Sequence, residues 1–232
     1  MIRIVCDPGQ RVGNQLTLSL EQIHYLEHVM RQKAGDPIEV HIVDEGVYQA
    51  YIVGSGQAQL DPTPAPTRRL PSHVRLYQSL LKKDHFAEVV ERGTEAGIQE
   101  FIPLVTERSI VREVTPNRQQ RWLKIANEAT EQSRRPDVPR IHPLVSLQEM
   151  TAPSLGLGLI LDPSGLPLRE AVIEDTPQEV SLVVGPEGGL TPGERELLLG
   201  RGFTAVSLGP QIFRAENAGA FATVMLFALW MR

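Results

Sequence analysis

EVSLVVGPEGGLTPGERELLLGRGFTAVSLGPQIFRAENA, residues 179–218, contains two strand-and-helix units in succession. VSLVV (180–184) is a short apolar β-rich run, and Gly185-Pro186-Glu187-Gly188-Gly189 breaks it. Thr191-Pro192-Gly193-Glu194 then combines a capping box with proline at the first helical position, which predicts a helix through Leu199. TAVSL (204–208) is the next strand, the loop Leu208 to Glu216 follows, and the last helix is predicted to begin near Glu216. Strands alternating with helices fold as a mostly parallel α/β sheet, whose ligands bind at the carboxyl ends of the strands.

The same alternation extends upstream. LYQSL (76–80), FIPLV (101–105), a stretch around Ile141 to Val145, and LGLIL (157–161) read as strands. A helix capped by Asp84 carries Phe86, Val89, Val90 and Gly93 on one stripe and ends at Gly97. A second helix, capped by Asn117, carries Trp122, Ile125, Ala126 and Ala129, and a short one is expected from Leu168 to Ile173. DPTPAPTRRLP (61–71) has proline at a density that no helix or central strand tolerates, so it reads as a semi-rigid linker dividing the chain into residues 1–66 and 67–232. In the first part, IRIV, PIEVHIV (37–43) and VYQAYIV (47–53) suggest a small β-barrel or sheet, with a hairpin at Asp44-Glu45-Gly46. LEQIHYLEHVMR reads as a helix with Leu20, Ile23, Leu26 and Met30 on one stripe.

Composition narrows the class. The 232 residues are 41% hydrophobic and 22% charged with net charge −5, which excludes a largely disordered chain and a polybasic RNA-coating protein. Eight basic and four acidic residues lie between Arg108 and Arg140, a local +4 that leaves −9 for the rest. Charge acts over about 8 Å at physiological salt, so such a stretch can steer an anion to one face, although on charge alone a solvated helix face is the favoured reading. The single cysteine, Cys6, forms no internal disulfide and no His/Cys cluster has zinc spacing, so no metal is expected. With no signal-like start, a cytoplasmic setting is expected, and the 15 uncharged residues from Asn217 to Met231 are shorter than a bilayer span of roughly 18 to 20. They predict a buried helix that also meets a partner subunit.

Three loops follow the last strands: Leu161 to Gly165, Gly185 to Gly189 and Leu208 to Glu216. Their glycines allow close approach to a nucleoside, although any one loop alone would be ordinary turn chemistry. Neither a G-x-x-x-x-G-K-[ST] nor a G-x-G-x-x-G pattern is present, which argues against nucleoside triphosphates and NAD. Glu187 would repel a pyrophosphate but suits a cationic ligand such as S-adenosyl-L-methionine. Arg214 and Glu216 form either a structural ion pair at a helix start or a catalytic pair beside those loops.

VVGPEGGLTPGE (183–194) and VSLGPQIFRAENA (206–218) resemble the two C-terminal motifs of the ribosomal RNA small-subunit methyltransferase E family of the SPOUT superfamily. His24-Tyr25-Leu26-Glu27-His28-Val29-Met30-Arg31 with Gly35-Asp36, Glu95-Ala96-Gly97-Ile98 with FIPLVTERSIV (101–111), and Glu128…Glu131-Gln132-Ser133…Val138-Pro139 resemble its upstream motifs. Where the family usually has Thr-Glu-Thr this chain has Ala215-Glu216-Asn217, and Arg134 follows Ser133 where glycine is common.

The resemblance implies a PUA-like RNA-binding β-barrel (1–66), a SPOUT α/β domain with a trefoil knot (67–232), and a homodimer. It also implies S-adenosyl-L-methionine as cofactor and N3 of a uridine in 16S rRNA of the small ribosomal subunit as target. On this reading Leu161, Gly185, Glu187, Gly188, Leu208, Gly209, Ile212 and Phe213 contact the cofactor, and Arg214 and Glu216 are catalytic. Arg11, His24, Arg31, Arg112, Arg134 and Arg135 are the RNA-facing candidates, though His24 and His28 equally suit packing beside their helix stripe. A knotted methyltransferase acting on a ribose 2'-hydroxyl or a tRNA base, and a non-catalytic RNA-binding protein, are the rival readings.

Overall fold

The computed structural model describes residues 1–54, 56–66, 70–150, 156–172 and 176–231. Thr67 to Arg69 of the proline-rich segment, with the boundary drawn there, and Ile173 at the end of the expected short helix lie outside the described residues. Two compact units are present, one formed by Met1–Arg69 with Thr130–Val138, the other by Leu70–Ala129 with Pro139–Arg232.

The first unit is a sheet of β1 (Ile2–Cys6), β2 (Arg11–Val12), β3 (Gln15–Thr17), β4 (Pro37–Ile42), β5 (Gly46–Gly54) and β6 (Gln57–Leu60), in the order β1-β4-β5-β6-β3-β2. Alternation along β4 buries Ile38, Val40 and Ile42 against Ile4, Leu16 and Leu26. The β4–β5 turn takes positive φ at both Asp44 and Gly46. The stripe expected on the helix before β4 is corrected, because α1 covers only Leu20–His24 and a π-turn, Tyr25–Val29, succeeds it. The wider turn, closed by the Met30 N–H donating to the Tyr25 carbonyl at 2.9 Å, changes the phase. Leu26 is buried, Ile23 is half-buried, and Leu20 is 86% exposed.

The second unit is a parallel sheet of β7 (His73–Ser79), β8 (Glu100–Val105), β9 (Arg140–Ile141), β10 (Val145–Ser146), β11 (Leu157–Pro167), β12 (Glu179–Val184) and β13 (Thr204–Ser207). The order is β10-β8-β7-β12-β11-β13, with β9 also beside β8. Its helices are α2 (His85–Ala96), α3 (Pro116–Ser133), α4 (Leu168–Ala171), α5 (Pro192–Gly200) and α6 (Ala215–Trp230). Alternate strand residues enter two cores. Leu76, Leu159 and Leu182 meet Phe86, Trp122 and Leu226 from α2, α3 and α6, whereas Ile160 and Val183 meet Leu198 of α5. Both faces are covered, which is why these strands read as near-continuous apolar runs.

Local expectations are met and corrected for identifiable reasons. The stripe Phe86, Val89, Val90 and Gly93 is buried, and Gly97 ends α2 with φ +101°. Asp84 sits at the cap position, but its side chain bonds no helix N–H; its carboxylate pairs with Arg118 and Arg121. Thr115 caps α3 in place of Asn117: its carbonyl accepts from the Gln119 N–H at 3.1 Å, and Pro116 occupies the first position. The Leu161 to Gly165 segment is not a loop after a strand but a bulge within β11, across which Val206 of β13 pairs with both Leu161 and Leu166. A Cβ on Gly165 would lie 2.4 Å from the Val206 nitrogen and 2.6 Å from the Ala205 carbonyl oxygen. Gly165→Ala must therefore move backbone against backbone, and a stability loss of about 1–3 kcal/mol is expected by urea denaturation; an unchanged midpoint would refute this packing.

Candidate functional site

The bulge of β11 and the segments after β12 and β13 converge on a cavity of about 600 Å³, completed by His85 from the first turn of α2. Of the residues assigned to the cofactor and to catalysis, Leu161, Gly185, Glu187, Ile212, Phe213, Arg214 and Glu216 line it. Gly188, Leu208 and Gly209 do not line it. The Gly188 carbonyl accepts from Arg108 Nη1 at 2.7 Å, Leu208 packs on the core, and Gly209 turns the chain with φ +143°.

Side chains distant in sequence brace these loops. Glu187 Oε1 accepts the Lys82 N–H at 2.9 Å. Buried Glu194 accepts the Glu107 N–H at 2.7 Å while its other oxygen accepts the Thr191 N–H at 2.8 Å, closing the capping box. The capping box is legible in the sequence; the tie to Glu107 is not, because it spans two elements.

Asp162, also on the cavity wall, receives Arg195 Nε at 2.8 Å on one oxygen and the Ser164 N–H and hydroxyl, each at 2.8 Å, on the other. Partial burial alone would raise its carboxyl, but the Ser164 and Arg195 bonds prevail and hold it below the usual aspartate range. Asp162 falls within a loop that the sequence marks without giving it a role, and neither Arg195 nor His85 is marked there at all.

Arg214 and Glu216 adopt opposite environments at the start of α6. The guanidinium is 83% exposed, whereas the Glu216 side chain is 9% exposed, and they lie 3.9 Å apart. A pair this long and one-sidedly solvated contributes little to stability. Behind Glu216, His85 Nδ1 is 2.8 Å from Glu88 Oε1, and Glu88 Oε2 is 2.7 Å from Arg92 Nη2. The His85 bond lowers the Glu88 carboxyl. One nitrogen or oxygen from each of His85, Glu88 and Glu216 lies within 4.8 Å of the others, a grouping that spacing along the chain could not show. Arg92 also bonds Asn217, joining α2 to α6.

The RNA-facing candidates divide. His24, Arg31, Arg112 and Arg134 are exposed, and the His24 and His28 rings lie 5.1 Å apart, tilted by 39°. Arg112 donates to the Glu107 carbonyl at 2.9 Å and Arg134 to the Met1 carbonyl at 3.2 Å. Arg11 is drawn onto Glu45 at 2.6 Å and over the Tyr48 ring. Arg135 is corrected: it is 6% exposed and bonded at 2.7 Å to Asp137, whose side chain is partly exposed, so its guanidinium is turned inward and not presented to RNA. It lies near buried His41, whose imidazole is pushed down to about 4 by burial and then by the charge of Arg3.

Residues 68–226 match the model of the RNA methyltransferase domain family. Ribosomal RNA small subunit methyltransferase E of Synechocystis sp. is 34% identical, the match covering 98% of this chain and 77% of that one. The protein of the same name from Bacillus subtilis is 30% identical, with 92% and 90% covered. The chain belongs to the ribosomal RNA small subunit methyltransferase E family. A crystal structure of a methyltransferase E from Neisseria gonorrhoeae bound to S-adenosyl methionine superposes with a TM-score of 0.83 at 28% identity, covering 99% of this chain and 98% of that one. Within the methyltransferase E fold, this chain puts Asn217 one residue after Glu216 and uses it to bond Arg92.

The cavity electrostatics carry a pH signature. Because the folded Asp162 carboxyl is lowered, its contribution to stability is complete above the unfolded value of about 3.9 and is lost as pH falls through the folded value. Arg195→Met removes one of the lowering contacts, so urea midpoints measured between about pH 4 and pH 2 should fall less steeply in the variant than in the parent protein. Equal slopes would mean that Arg195 does not act on Asp162.

Proposed function

We propose that this chain transfers the methyl group of S-adenosyl-L-methionine to N3 of a uridine in 16S rRNA of the small ribosomal subunit, acting as a cytoplasmic homodimer. The observation that carries this reading is the cavity at the carboxyl ends of β11, β12 and β13, in a chain matched almost end to end by a relative crystallised with that cofactor. The residues present fit the group. Leu161, Ile212 and Phe213 offer apolar surface, Gly185 brings backbone close, and Asp162, Glu187 and Glu216 provide negative charge for a sulfonium and an ammonium. Gly188, Leu208 and Gly209 would shape these loops from behind. When bound, the cofactor supplies an electrophilic methyl on positively charged sulfur.

The chain's own residues would do the rest. N3 of uridine lies on the pairing edge, so the base must be unpaired or swung out. Arg214, extended into solvent from the cavity, would grip the uracil oxygens or the adjacent phosphate and stabilise charge that builds on the base. Glu216, held inside, would orient it. Residues 1–66 are read as a PUA-like barrel presenting Arg11, His24 and Arg31 to RNA, with Arg112 and Arg134 from elsewhere in the chain, and residues 67–232 as a knotted SPOUT domain. Phe221, Val224 and Met225 recur at helical spacing on the exposed face of α6, which supports pairing with a second copy there.

The test is to incubate the protein with labelled cofactor and small subunits lacking the modification and to map the product by mass spectrometry. The expected outcome is label on N3 of one uridine in 16S rRNA, lowered by about 10²–10³-fold in Arg214→Ala with unchanged cofactor affinity. Label on a ribose hydroxyl or on tRNA, or no cofactor binding in calorimetry, would overturn the proposal.

A further inference from the structure

We propose that His85 is the base that removes the N3 proton of the target uridine, and that Glu88 and Glu216 are the carboxylates that position it and stabilise its charge. This rests on the N3-methylation reading above and deepens it.

Uridine N3 carries a proton, and its electron pair is unavailable until that proton leaves. The acceptor must therefore reach the cavity, bear a lone pair near neutral pH, and be stabilised once charged. His85 lines the cavity at the start of α2. A carboxylate only accepts hydrogen bonds, so Glu88 at 2.8 Å fixes the proton of the neutral ring on Nδ1 and leaves the lone pair on Nε2. Glu88 is itself held by Arg92 at 2.7 Å, and Arg92 is bonded across to Asn217, one residue from Glu216. The ring is thus oriented by a chain of side chains anchored on two helices, as an orienting carboxylate does for a catalytic histidine.

Glu216 is the rival base. Carboxylates titrate far below the range in which uridine N3 ionises, and imidazoles titrate nearer to it, so proton transfer to imidazole is better matched. Glu216 lies within the same 4.8 Å grouping and is nearly buried, which places a negative charge where an imidazolium would form. In the step, the N3–H bond breaks with its electron pair remaining on nitrogen, and Nε2–H forms. The N3 pair then bonds to the methyl carbon as the carbon–sulfur bond breaks toward sulfur, and the imidazolium returns its proton to solvent. The other charged groups around the cavity are Asp162, Glu187, Arg195 and Arg214.

The test uses the full-length protein and unmodified small subunits. His85→Asn should lower methyl transfer at neutral pH by about 10²–10³-fold with unchanged cofactor affinity in calorimetry, and the fall in rate on the acid side of the pH profile should disappear. His85→Ala should be rescued in part by added imidazole. Independently of activity, the 15N shifts of the neutral His85 ring should report the proton on Nδ1 in the parent and lose that preference in Glu88→Ala. The side chain is 35% exposed, so these variants are expected to fold. Parent-like rate and pH profile in His85→Asn, while the parent still methylates N3, would overturn the assignment alone. Activity abolished by a chelator and restored by a divalent cation would also overturn it, because the cluster would then be a cation site. A parent that binds cofactor but methylates another position would overturn the functional reading and this inference with it.

Discussion

Val206 pairs with Leu161 and again with Leu166 of the same neighbouring strand, and the four residues between are forced out of the ladder. That double pairing is the constraint on which the site depends. It holds Asp162 and Pro163 at the carboxyl end of the sheet, where they form one wall of the cavity. It is possible only because Gly165 has no side chain to set against the backbone of Ala205 and Val206. The same strand end then receives Arg195 from α5, so that wall is fixed from a second element. The segment after β12 is tied in the same manner: Lys82 to Glu187, Arg108 to Gly188, and Glu107 to Glu194. Ordering a loop rich in glycine costs much conformational entropy, and each of these bonds offsets part of that cost.

What the sequence disclosed follows from which forces are local. VSLVV and LGLIL announce themselves because both faces of a parallel sheet are buried, and Thr191 to Glu194 because a capping box closes within four residues. The bulge did not, since Asp162-Pro163-Ser164-Gly165 has the composition of an ordinary turn and only the partner strand reveals the second pairing. The stripe through Leu20 and Met30 failed because a π-turn changes the period that the pattern assumes. Asn117 and Thr115 are both good caps, and Pro116 between them decides for Thr115. His85 was passed over as one residue beside a cap; its meaning comes from Glu216, which the chain supplies from its last helix.

Charge illustrates the same limit. The basic stretch from Arg108 to Arg140 promised a surface for an anion, yet much of it serves internal contacts. Arg108 and Arg112 donate to carbonyls, Arg118 and Arg121 meet Asp84, and Arg135 is buried on Asp137. A count of charges could show the local excess but not how it is used. Arg214 follows the opposite course: placed beside an acid in sequence, it extends into solvent while Glu216 stays within.

The central claim is that the three strand-end segments form one ligand site with His85 and Glu216 on its wall. The most direct measurement is a crystal structure of this protein grown with S-adenosylhomocysteine. The account predicts the ligand between Leu161, Gly185 and Phe213, with its sulfur on the side of the cavity that carries His85 and Glu216. Ligand density elsewhere on the molecule, or in this cavity with the sulfur turned away from both residues, would contradict it.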